Sequence, residues 1–112
     1  MASRFIPKQI EQLKVTPGET IYTAPTNTTG IVTFANCTNE SASSATFTVH
    51  IVQSGASLAD TNIYADAKPV GPGRTKLVTE ILGSVLATGD FIIAFGSVAD
   101  ALNLKLGIKE IT

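Results

Sequence analysis

The sequence has no tryptophan, and only one cysteine (Cys37), one histidine (His50) and one methionine. A lone thiol excludes an internal disulfide and any cysteine-based zinc site. A lone imidazole cannot supply the several ligands that a cupin-like metal centre takes. Charged residues make up 15% of the chain, well below the quarter usual in soluble domains. With 8 basic residues against 9 acidic ones, there is no basic surface for generic nucleic-acid or anionic-membrane binding. No apolar stretch approaches the roughly 20 residues of a membrane-spanning helix; the longest runs from Phe91 to Phe95. Residues 1–14 lack the apolar core of a secretory signal, so synthesis and folding in a cytoplasm are expected. The N-glycosylation patterns starting at Asn27, Asn36 and Asn39 then read as ordinary turn and strand-face residues. At 112 residues the chain suffices for one domain with one core. A surface this poor in charge suggests that other protein covers part of it.

What is abundant is β-branched: Thr, Val and Ile supply 34 of the 112 residues. Such side chains lose rotamer freedom in helices and fit the pleated surface of a sheet. In 46–52, Phe47, Val49 and Ile51 share one face, and Thr46, Thr48 and His50 the other. In 102–109, Leu102, Leu104, Leu106 and Ile108 oppose Asn103, Lys105, Gly107 and Lys109. Both have the period of 2 of half-buried strands. Val32, Phe34 and Asn36 alternate less cleanly with Ile31, Thr33, Ala35 and Cys37. The segment 91–95 is apolar on both faces, as for a strand covered twice or one whose outer face meets a partner. Turn residues separate these runs, and Gly71-Pro72-Gly73 suits a type II turn. Ile81, Leu82, Val85 and Leu86 recur with helical spacing behind Thr79, which predicts a short helix near 80–86. The pattern predicts an all-β domain: a single antiparallel β-sandwich of seven or eight strands, jelly-roll or immunoglobulin-like. Residues 15–112 form the sandwich, and 1–14 an N-terminal arm and first strand that docks on a neighbour.

Candidate chemistry is sparse. His50 lies on the polar strand face, and no residue near it in sequence would orient it as a general base; it reads as a surface or interface hydrogen-bonding group. Cys37 reads as a small buried hydrophobe. Asp60, Asp66, Asp90 and Asp100 stand singly, without the alternate-position clustering of a calcium loop. Asp60-Thr61-Asn62 reads as a turn and strand start, and Asp90 as a turn brace. Gly71-Pro72-Gly73-Arg74 lacks the ending of a phosphate loop. Neither a catalytic residue nor a metal or cofactor site is expected. In the arm, Phe5, Ile6 and Pro7 beside Arg4 would be an aggregation liability if left free. With Ile92 and Ala94 of the doubly apolar strand, they are the candidate subunit interface.

Several segments carry a resemblance: Thr29-Gly30-Ile31-Val32, 34–39 (FANCTN), 48–52 (TVHIV), Pro69 with the Gly-Pro-Gly turn, 86–92 (LATGDFI) and 101–104 (ALNL). Residues 28–111 resemble the small β-sandwich virion proteins of tailed bacteriophages. The resemblance implies a non-enzymatic structural subunit, present as a symmetric ring or as clustered copies on the head, collar or tail. Its partners would be itself and capsid, portal-associated or tail proteins, with no specific nucleic acid and no membrane. Collar, head–tail joint and capsid decoration all fit. The rival reading is a carbohydrate- or receptor-binding sandwich of a tail or fibre, poorly served by Tyr22 and Tyr64 as its only Tyr or Trp platforms.

Overall fold

A computed structural model of the chain describes residues 3–16 and 18–112, with 7–11 described by their backbone alone. Nine strands follow one another: β1 (Ser3–Gln12), β2 (Glu19–Thr23), β3 (Thr29–Asn39), β4 (Ala45–Val52), β5 (Ile63–Val70), β6 (Thr75–Leu77), β7 (Val85–Leu86), β8 (Phe91–Gly96) and β9 (Leu102–Ile111). They form two antiparallel sheets, ordered β1-β9-β3-β6 with β7 also on β3, and β2-β8-β4-β5. With the two-residue β7 set aside, successive strands alternate between the sheets except for the adjacent pair β4 and β5, which is the order of a jelly roll. The all-β sandwich is as expected; the ninth strand is the small β7.

The core lies between the sheets. Alternation along β9 puts Leu102, Leu104, Leu106 and Ile108 inside, and β4 contributes Phe47, Val49 and Ile51. Burying each of these large side chains is worth roughly 1.5–3 kcal/mol. Asn39, fully buried, closes the following polar loop. Its amide nitrogen donates to the carbonyls of Ser43 and Val70, each at 2.9 Å, and its Oδ1 accepts from the Ser41 N–H at 2.8 Å. The Gly71-Pro72-Gly73 turn forms as expected, with Gly73 at φ +70° and the Arg74 N–H donating to the Gly71 carbonyl.

Three local readings change. No helix occupies 80–86: a single 3₁₀ turn spans Thr79–Ile81, and Val85–Leu86 pair with β3. Gly83 at φ +80° turns the chain between them, so Ile81 and Leu86 are buried while Leu82 and Val85 are exposed. A helix would have put all four on one side. In β3, a bulge at Thr33 shifts the register on β9 between Val32 and Phe34, so Val32 faces the core and Phe34 faces out. And 3–12, expected as an arm and first strand that docks on a neighbour, pairs with β9 as an edge strand of the chain's own sheet.

All four sheet edges are blunted against further pairing. β1 contains Pro7 and a register shift between Lys8 and Glu11. β5 contains Pro69 and register shifts of its own. β2 has five residues and β6 three. The broad faces are the surfaces left for contact.

Candidate functional site

The residues expected at a subunit interface scatter. Phe5 projects from the outward face of the five-stranded sheet and is 71% exposed. Arg4 and Ile6, one step out of phase with it, pair with Glu110 and Ile108 of the inward face. The Pro7 side chain lies outside the described residues. Ile92 and Ala94 are corrected outright: they are 0% and 1% exposed and belong to the core. In β8 the outward members are Phe91, Ile93 and Phe95.

Register reveals an outward row that sequence spacing concealed. Phe5 stands opposite Lys109, Lys109 opposite Ile31, and Ile31 opposite Val85, so four strands contribute to one line across the sheet. Val85 is 62% exposed, and Leu77 and Phe34 extend the patch toward β6. The Lys109 ammonium lies 5.8 Å from the centre of the Phe5 ring, a weak cation–π contact at an exposed site. Among the described residues, the outward strand positions of this sheet carry Lys105 and Lys109 and no acid. Four large apolar side chains, Phe5, Phe34, Leu77 and Val85, are thus exposed on one sheet face.

The four-stranded sheet presents a different outward surface: a groove of about 530 Å³ lined by Thr46, Thr48, His50, Asp60, Asp66 and Phe95 among others. Its floor is His50, only 6% exposed, with its ring stacked near Phe95 at 6.1 Å between centroids. Asn62 orients the imidazole. The Asn62 amide nitrogen donates to the Ser57 carbonyl, and its Oδ1 accepts from the Ala59 N–H. That oxygen lies 2.7 Å from His50 Nδ1, so Nδ1 carries the hydrogen, and in the neutral ring Nε2 is an acceptor. Nε2 has no partner among the described residues.

One wall of the groove is a bulge in β5. Ala67 sits at φ +47°, a left-handed conformation costly for a residue with a Cβ. Its N–H donates to Thr48 Oγ1 at 3.1 Å. Bulges re-aim side chains, and this one brings Asp66 to the groove. The sequence reading had Asp66 as one dispersed acid and missed the bulge.

A second buried polar cluster ties the sheets together at the β1–β2 side. Glu110, 2% exposed, continues the inward phase of β9. Its carboxylate accepts from the Tyr22 hydroxyl at 2.5 Å and from the Arg4 guanidinium at 3.2 Å. Gly30 makes room: a Cβ there would stand 3.0 Å from the Tyr22 hydroxyl. Burial, then the hydrogen bond to Glu110, hold the Tyr22 phenol well above its ordinary range. Glu110 and Tyr22 are buried while the Arg4 side chain is largely exposed, so the cluster ties the sheets together at the surface. Burial likewise pushes the Cys37 thiol up to about 12, leaving it inert at neutral pH. Asp90 braces its turn, accepting from the N–H groups of Ser54 and Ala87. Asp60–Asn62 is a 3₁₀ turn that leads into β5. Among the described residues no three His, Cys, Asp or Glu side chains gather as a metal site.

Comparison with protein-family models, curated proteins and solved structures finds no match to this chain.

Proposed function

We propose that this protein is a non-enzymatic structural subunit of a tailed-phage virion, assembling with copies of itself on the head, collar or tail. One observation carries the reading: the in-register row Phe5–Lys109–Ile31–Val85, whose apolar ends Phe5 and Val85 are exposed, on a sheet whose edges are blunted. Left bare, such a face is a liability; covered by neighbours, it supplies binding energy. A subunit used in many copies gains affinity by repetition, so each contact can be modest. The segments that resemble small phage virion proteins span most of the same sandwich, and the low charge content fits a largely covered surface.

The lysines make a two-fold contact of this face with itself unfavourable, because like charges would meet. A neighbour's differently charged surface is the better complement. Light scattering coupled to size exclusion, alone and with purified phage particles, tests the proposal. A discrete multimer that co-sediments with particles is expected. A chain that stays monomeric at high concentration and ignores particles contradicts it.

A further inference from the structure

We propose that the groove over His50 is the socket for the next copy of the chain, and that the ridge of Phe5 and Lys109 is what enters it. This rests on the self-assembly reading above and gives it an interface. The charge is complementary. The groove is bordered by the carboxylates of Asp60 and Asp66, and among its described lining residues there is no lysine or arginine. The ridge offers an ammonium and no acid. The shapes agree as well, since an exposed ring beside a flexible lysine meets a concave surface floored by the Phe95 and His50 rings.

The polar groups at the floor are poised for a cationic donor. His50 is more than nine-tenths buried, Asn62 holds its Nδ1–H, and Nε2 is left as an acceptor toward the groove. An incoming ammonium can donate to Nε2 and to Asp66 while its stem lies on Phe95. The strained Ala67 bulge sets the wall that presents Asp66.

Ridge and socket lie on opposite sides of one sandwich, so the contact is heterologous. An open chain of copies keeps one free ridge and one free socket, at its two ends, until a ring closes. This gives a diagnostic mixing experiment with two variants, at the exposed Asp66 and the half-buried Lys109: Asp66→Lys and Lys109→Asp. Circular dichroism and thermal melting first establish that both fold. Each variant alone is expected to weaken assembly on the order of a hundred-fold, since like charges then face each other. An equimolar mixture is expected to restore multimers in which the two variants alternate, because each ridge then meets a socket of opposite charge. Carrying both changes on one chain is expected to restore multimers. If both variants keep the wild-type mass, the socket assignment is wrong while self-assembly stands. If the wild type is itself monomeric, the underlying reading fails. A glycan array that finds a sugar ligand lost in Asp66→Lys would overturn the socket in favour of a saccharide site.

Discussion

On the five-stranded sheet, Phe5 and Val85 stand exposed in one outward line with the half-buried Ile31 between them. On the four-stranded sheet, the equivalent outward layer is drawn in: Thr48 and His50 are each 6% exposed. There the 3₁₀ turn and the β5 bulge fold over the strands, and Asn62 and Ala67 hydrogen-bond directly to the outward side chains. Both faces are written with the same alternation. The difference is that the chain uses its own loops to cover one face and leaves large apolar side chains exposed on the other. An exposed apolar face is informative because the opposite face shows that this chain has the means to cover one.

That contrast can be broken at several points. The largest stability effect belongs to the inward layer. Ile92→Ala should cost about 2–5 kcal/mol in denaturant unfolding, whereas Ile93→Ala, outward and half-exposed, should cost far less; equal losses would mean that β8 faces the other way. Next comes alkali. Cys37 has its folded pKa raised from 9.0 to about 12, so its stabilising effect is complete below pH 9. It is lost as the pH rises toward 12, because the unfolded chain ionises first. Wild type should therefore lose on the order of 3 kcal/mol more than Cys37→Ala across that window; parallel pH profiles would show that the thiol is not sealed in the core. On the bare face, the combined changes Phe5→Ser and Val85→Ser should leave monomer stability within about 0.5 kcal/mol. They should weaken association by about 2 kcal/mol or more in sedimentation equilibrium. On the covered face, Thr48→Val removes the acceptor for the Ala67 N–H and should cost about 1–2 kcal/mol. The smallest effect is a gain: Ala67→Gly should stabilise by up to about 1 kcal/mol, because glycine adopts a positive φ without a Cβ clash. A loss there would mean that the bulge is not strained.

Much of this architecture is readable from residues alone, and the failures share one cause. Alternation in 46–52 and 102–109 assigns inside and outside correctly because nothing interrupts the period of 2. A bulge inserts one residue and inverts every assignment beyond it, so Thr33 separates Val32 from Phe34 and the 66–67 bulge conceals the role of Asp66. In 91–95 both phases are apolar, leaving hydrophobicity no basis for choosing; the choice of Ile92 and Ala94 as surface residues took the wrong phase. Glu110 breaks the apolar pattern of its face and is legible only once Tyr22 and Arg4 are seen beside it. The row Phe5–Lys109–Ile31–Val85 joins four segments from both ends and the middle of the chain. Only strand pairing brings them into line, and pairing order is not encoded in local periodicity.

The central claim is that the outward face of the five-stranded sheet is covered by protein in the assembled state. Hydroxyl-radical footprinting, at concentrations well above and well below that at which the protein associates, addresses it directly. Phe5, Val85, Leu77 and Phe34 should be oxidised in the dilute sample and protected in the concentrated one, with the buried Phe47 unreactive in both. Equal oxidation of those four side chains at both concentrations would contradict the account.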